Sequence, residues 1–275
     1  MLRRSLCIIL LFCSSFLFSG GPQAWYAASQ TFNDPTHLFH KVGLRGDERI
    51  LEIGCGEGKF SALMAYMHPH SRVLGVDIND ETIRFAQYRF PPTSYHNLSF
   101  KIQDANEMNY HESFDIILSI SVMHFIKDQN KVLSTLWKAL KKTGKLGIQM
   151  PVGLPSALAK ATRELIHSKE WADIFEGYIS EWTTYSAAEY EQLLINNQFN
   201  PLHIELVKRE SVFANKELFS NFLRDWFPYL KPVPKAKEEE FLNTLVDLFI
   251  SYKSIDPSEN IRITMDTLEI QACKI

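Results

Sequence analysis

One segment limits the folds open to this chain more than any other: Leu51-Glu52-Ile53-Gly54-Cys55-Gly56-Glu57-Gly58. An apolar β-type run, Arg49–Ile53, passes into three glycines at alternate positions. Phe60–Met67 follows, with Phe60, Leu63, Met64 and Met67 spaced for one helical face. Glycine is needed where a backbone bends sharply and comes close to a ligand. In open parallel sheets this turn lies beyond the carboxyl ends of the strands, where ligands bind. Asp77 ends the next apolar run about twenty residues after Gly58, the spacing at which an acidic residue reaches ribose hydroxyls in nucleotide-type sites.

The alternation continues down the chain. Arg72–Val76 reads as a second strand, and Asn79 or Asp80 caps a helix that runs to about Arg89 before Pro91-Pro92. Leu98–Ile102 and Phe114–Ser119 are a third and fourth strand. Asp128–Lys142 reads as a helix with Val132, Leu133, Leu136 and Leu140 on one face, and Gly144–Met150 as a fifth strand stopped by Pro151. Strands alternating with helices predict an α/β fold, a mainly parallel sheet wound on both faces. Further helices are expected over Ala157–His167, Ser186–Asn197, Lys216–Asp225 and Lys237–Phe249. Strands at Leu202–Val207 and Thr264–Cys273 bring the sheet to seven. The stretch from about Arg209 to Glu259, with Trp226, Phe227, Tyr229 and Phe241, is expected to be a mostly helical insertion before the last strand, a lid of the kind that covers a small-molecule site.

A dinucleotide turn would need glycine at position 59, where Lys59 stands. Glu52 and Glu57 also flank the turn, and a bound pyrophosphate wants N–H groups and a positive helix end. Acidic side chains suit a cationic sulfonium and an amino-acid portion better. The alternative without a ligand is a tight β–α turn. Further polar residues recur at successive strand ends: Asp104 in Gln103-Asp104-Ala105 after the third strand, then Ser119 and the run to His124 after the fourth.

Together these segments resemble the class I S-adenosylmethionine-dependent methyltransferase family. LEIGCGEG is similar to its first motif, GVDIND to its second, QDA to its third and FDIILSISVMHFI to its fourth, covering about Arg49–Pro151. The resemblance implies a Rossmann-like methyltransferase fold with S-adenosyl-L-methionine as cofactor. Gly54, Gly56 and Gly58 would line it. Asp77 would hold the ribose, with Ile78 packing on the adenine. Asp104, with Ala105 beside it, would accept from the adenine amino group, and the Ser119 carbonyl would face the methionyl amine. Glu52 would bond the methionyl end through water. A narrower resemblance, to the trans-aconitate methyltransferase group, rests on Gly147-Ile148-Gln149-Met150-Pro151 with Pro155-Ser156, on Glu181-Trp182 with Tyr185, Glu189-Tyr190 and Leu193-Leu194, and on Phe222–Leu230. It implies a small carboxylate as methyl acceptor. The last strand departs from that group: Thr264-Met265-Asp266-Thr267-Leu268-Glu269 stands where basic and aromatic residues are usual.

A carboxylate acceptor needs no base, being ionised at neutral pH. A hydroxyl or amine acceptor needs one, and His124 is the candidate; its other role is to pack over the cofactor. Trp182 and Tyr185 line the acceptor pocket or sit in the core. His37 and His40 precede the first strand and would belong to a covering N-terminal helix. Two other classes stay open, a catalytically degenerate binding module and an aminopropyl transferase, although the latter usually needs an acidic pair after the fourth strand. Net charge is −3 and the pI about 6.3, with no basic stripe, which argues against a nucleic-acid partner. Lys138, Lys141, Lys142 and Lys145 read as a solvated helix end. Cys7, Cys13, Cys55 and Cys273 form no CxxC or His/Cys cluster, so neither a disulfide scaffold nor a metal is expected.

The first 24 residues carry Arg3-Arg4 and an uncharged run from Leu6 to Phe18. That run suits the apolar region of a signal peptide, an uncleaved anchor, or residues upstream of the true start. Export or anchoring, with membrane association only through residues 6–18, conflicts with a cofactor made in the cytosol, so localisation stays open. The expected organisation is this segment, then a methyltransferase domain over 25–275. Within it lie a cofactor-binding core at about 45–151, an acceptor and lid region at about 152–260, and the last strand at about 264–273.

Overall fold

The computed structural model describes residues 36–224, 226–253 and 260–275. The apolar segment at 1–24, Asp225 and the end of the insertion at 254–259 lie outside them. In chain order the elements are α1 (Thr36–Val42), β1 (Arg49–Ile53), α2 (Lys59–Met67), β2 (Arg72–Asp77), α3 (Asp80–Arg89), β3 (Leu98–Ile102), β4 (Phe114–Ile120), α4 (Gln129–Ala139) and β5 (Leu140–Pro151). They continue as α5 (Ser156–Ile166), α6 (Ala187–Asn196), β6 (Phe199–Phe213), α7 (Lys216–Arg224), α8 (Glu238–Lys253) and β7 (Ile261–Lys274). Among the described residues no helix is long and apolar enough to cross a membrane.

The strands form one sheet in the order β3-β2-β1-β4-β5-β7-β6. Pairings from β3 across to β5 are parallel, and β7 runs antiparallel to β5. The expected doubly wound, mainly parallel seven-stranded sheet is therefore observed. Its order turns back between β1 and β4. At such a point the loops leaving adjacent strands diverge to opposite faces and open a crevice at the carboxyl edge.

Local chemistry sets the helix starts. The Asn79 side chain accepts from the N–H groups of Glu81 (2.9 Å) and Thr82 (3.2 Å) to open α3. Asp128 accepts from Lys131 N–H at 2.9 Å to open α4. At α6, Ser186 and Glu189 form a reciprocal capping box. Each cap satisfies backbone donors that a helix cannot pair internally. One apolar cluster joins Leu51 and Ile53 of β1, Ile117 of β4, alternate residues Leu146, Ile148 and Met150 of β5, Leu268 and Ile270 of β7, and Val132, Leu133 and Leu136 of α4.

By contact density the described chain divides into two compact units. One comprises residues 36–152, 183–207 and 267–275; the other comprises 153–182 and 208–266. The second has its own apolar cluster, in which Leu158 and Leu165 of α5, Phe219 and Leu223 of α7, and Phe241, Leu245 and Phe249 of α8 are buried with Trp171.

Two expectations are corrected. Of the lysine group only Lys138, exposed in the last turn of α4, is a solvated helix end. The helix stops at Ala139, and Lys141, Lys142 and Lys145 lie in β5. There Lys141 pairs with Asp115 at 2.8 Å, and Lys145 donates to the Val42 carbonyl at 2.7 Å. The sequence hid this because a register shift between Phe114 and Ile116 lets β5 begin early, at Leu140, with Thr143 at positive φ. The insertion also begins later than expected, because β6 runs on through the charged Lys208-Arg209-Glu210 to Phe213. As the outermost strand β6 exposes alternate positions to water, and charged residues are well placed on such an edge.

Gly147 sits where α1 crosses β5. A Cβ there would stand 2.7 Å from a Leu118 methyl and 2.8 Å from Val42 Cγ1. Gly147→Val should therefore cost about 1–3 kcal/mol by overpacking. Denaturant unfolding checks this; a midpoint equal to the parent's would show that α1 yields without cost.

Candidate functional site

The turn after β1 is built on left-handed backbone. Gly54, Gly56 and Gly58 have φ of +67°, +50° and +80°. At Gly54 a Cβ would lie 2.2 Å from Val122 Cγ2, so close packing as well as conformation demands glycine. At Gly56 a Cβ would meet nothing within 4 Å, so the middle of the turn has open space beside its backbone. Gly58 caps α2, with the Phe100 ring behind it.

Asp77, at the end of β2, fastens this turn. Its Oδ2 accepts from Gly56 N–H at 2.9 Å and its Oδ1 from Asn79 N–H at 2.9 Å. A half-buried carboxylate is thus held in one orientation at the carboxyl edge, beside the open side of Gly56. Next to it two large apolar side chains face water, Ile78 (71% exposed) and, on the adjacent strand, Ile102. Burying apolar surface is favourable, so this pair offers a platform to a flat ring. Asp104 caps the turn Ala105–Glu107, its Oδ1 accepting from Asn106 N–H at 2.8 Å. Ala105 packs on the core edge. The buried hydroxyl of Ser119 and the buried Asn106 Oδ1 have no hydrogen-bond partner among the described residues.

Glu52 lies inside the sheet, 1% exposed, and accepts a hydrogen bond from Ser61. Burial pushes its carboxyl up to about 8, and the neighbouring Asp77 charge adds to this. At neutral pH it therefore holds its proton. His124 lies in the turn Met123–Phe125, 2% exposed, with its ring 4.1 Å from that of Phe125. Burial pulls its imidazole down to about 3. Tyr185 packs edge-on against Tyr190 at 5.4 Å and belongs to the sheet unit. Trp182 belongs to the other unit, where it stacks on Trp226 at 5.4 Å. His37 and His40 lie in α1, with His37 Nδ1 3.0 Å from Glu269 Oε2.

The structure thus gathers Glu52, Gly54, Gly56, Gly58, Asp77, Ile78, Asp104, Ala105 and Ser119 at or just below one sheet edge. Sequence reasoning missed Ser61 and Asn106, because nothing in their spacing shows that one reaches Glu52 and that the other is buried. The donor set fits a nucleoside carrying a cationic tail. It offers a fixed carboxylate for hydroxyls, apolar surface for a ring, open backbone at Gly56 and a buried acid below.

A family model described as "Methyltransferase domain" matches residues 44–201. The chain belongs to the methyltransferase domain family. It is an enzyme whose cofactor is S-adenosyl-L-methionine. Curated relatives include trans-aconitate 2-methyltransferases. That of Paracidovorax citrulli is 23% identical over 76% of this chain and 80% of its own. That of Methylobacterium radiotolerans is 28% identical over 49% of this chain, a match spanning only half of the relative. Among solved structures, an O-methyltransferase from a trans-AT PKS multienzyme of Brevibacillus brevis, in complex with S-adenosyl-L-homocysteine, shares the fold. Its TM-score is 0.56 at 17% identity, covering 92% of this chain and 75% of that one.

The raised Glu52 carboxyl sets a pH dependence. In the unfolded chain the group ionises near 4.5, in the folded chain near 8. Below 4.5 both states hold the proton; between 4.5 and 8 only the folded state does, so stability falls as pH rises. Glu52→Gln removes this loss. Its advantage over the parent should grow across that window, by up to about 1.4 kcal/mol per pH unit. Denaturant titrations at pH 5 and pH 8 measure it, and curves that stay parallel would refute the assignment.

Proposed function

We propose that the enzyme transfers the methyl group of S-adenosyl-L-methionine to a carboxylate oxygen of a small organic acid, producing a methyl ester. The observation that carries this reading is the state of His124. The base candidate among the site residues is shut away from water, and its conjugate acid is too strong for it to take a proton from a hydroxyl at neutral pH. A carboxylate acceptor needs no such help. Relatives named trans-aconitate 2-methyltransferase support the same acceptor class.

When bound, the cofactor supplies a methyl already activated on a sulfonium. The protein's share is then to bind, align and exclude water. In this reading Asp77 takes the ribose hydroxyls while it keeps hold of the loop through Gly56 N–H. Ile78 packs on the adenine and Asp104, next to Ala105, receives the adenine amino group. The Ser119 carbonyl would face the methionyl amine, Gly54 and Gly58 would shape the loop, and Glu52 would face the positive end as a carboxylate, its proton passing to solvent. Within the sheet unit, Tyr185 would border the acceptor, with His124 packed beneath it.

The deciding experiment is calorimetric titration of S-adenosyl-L-methionine into the protein, with NAD as control, followed by turnover assays on small carboxylic acids. Micromolar binding of the first and none of the second is expected. Asp77→Ala should weaken binding more than tenfold, since a hydrogen-bonding carboxylate in a closed site is lost together with its anchor on the loop. Unchanged affinity would sink the ribose assignment. His124→Gln should keep most turnover; complete loss with normal cofactor affinity would point to a hydroxyl or amine acceptor.

A further inference from the structure

The cofactor site leaves one group of buried polar atoms without employment. Side chains alternate along a strand. With Leu146, Ile148 and Met150 in the apolar cluster, Gln149 and Pro151 of β5 belong to the opposite face of the sheet. In the antiparallel pairing with β7, Gln149 stands opposite Glu269 and Pro151 opposite Thr267. Gln149 is 0% exposed and Thr267 1%. Neither the oxygen nor the nitrogen of the Gln149 amide has a hydrogen-bond partner among the described residues, and neither has the Thr267 hydroxyl. Leaving a buried polar atom without a hydrogen bond is costly. Three such atoms on one face mark a place that awaits a partner.

Its position fits the acceptor. Gln149 is near the carboxyl end of β5 and pairs with Ile120 of β4, the residue after Ser119. Its carbonyl accepts from Ser121 N–H at 2.7 Å. Gln149 therefore lies one strand, and Thr267 two strands, beyond the crevice between β1 and β4. Gln149 and Thr267 are diagonal cross-strand neighbours, about 7–8 Å apart at their backbones, within reach of a long side chain. A two-oxygen group can bridge that gap with a hydrogen bond at each end. Glu269, between them, is already engaged: Lys41 donates to it at 3.0 Å and also pairs with Glu205, while His37 stands 3.0 Å away. The Lys41 ammonium reduces the repulsion that an incoming anion meets there.

We propose that Gln149 and Thr267 form the acceptor subsite. The amide N–H and the hydroxyl donate to a carboxylate of the organic acid, and the amide oxygen accepts from a hydrogen-bond donor elsewhere on the same molecule. The subsite thus selects a small acid that also carries a hydroxyl or a second, protonated carboxyl group. This rests on the carboxylate reading above.

The test is methyl transfer from S-adenosyl-L-methionine to a panel of mono-, di- and tricarboxylic acids including trans-aconitate. It compares the parent with Gln149→Leu, Thr267→Val and Thr267→Ser. Cofactor affinity is read by calorimetry and Tm in parallel. For the accepted acid, the first two variants should raise KM at least tenfold with a smaller change in kcat, and Thr267→Ser should restore it. Cofactor affinity should not change. Tm should hold or rise, because an apolar side chain removes the unmade hydrogen bonds. An unchanged KM in both variants overturns the subsite, and so does a lowered Tm with unchanged KM, which assigns the pair to the fold alone. If no acid in the panel is methylated although the cofactor binds, the carboxylate reading falls and the subsite with it.

Discussion

The hydrogen bond from Gly56 N–H to the Asp77 carboxylate ties the turn after β1 to the end of β2. A left-handed run of glycines has no preference of its own for one path, since glycine gives up more freedom on folding than any other residue. The backbone bond from Cys55 N–H to the Val76 carbonyl, 2.9 Å, runs alongside and completes the tie. Because Asp77 also receives Asn79 N–H, the same carboxylate sets the turn into α3. One side chain thus fixes the loop, the next helix start and the direction in which its remaining acceptor capacity is offered. The crevice between β1 and β4 could exist without it, but its rim would not hold a single shape.

The electrostatics of the sheet follow from burial more than from pairing. Glu52 and His124 are both shut from water and both are driven toward their neutral forms, one by an upward shift and the other by a downward one. The same burial holds the His124 imidazole in its neutral form at neutral pH.

Much of the sheet was legible because each element carried its own local signal. Arg49–Ile53 and Leu98–Ile102 are found with the expected bounds, and Asn79 caps α3 as its side chain suggests. Errors arose where neighbours overrode local pattern. Lys141 and Lys142 read as a helix end, yet a β-bulge opposite Phe114 draws them into β5. Lys208–Glu210 read as the start of an insertion, yet they extend an edge strand, whose polar positions carry no periodic apolar mark.

The sequence by itself determined the parallel α/β architecture, the position of the glycine turn and the acidic residue at the end of β2. These depend on period, on spacing and on where glycine alone is tolerated, all properties of short segments. Only the tertiary structure decided which polar groups are satisfied. It buried Glu52 and His124, paired Lys41 with Glu269, and left the Gln149 amide and the Thr267 hydroxyl without partners among the described residues. The physical reason is that a polar side chain's state depends on the solvent and partners around it. Residues more than a hundred positions apart supply these, as β7 does for β5.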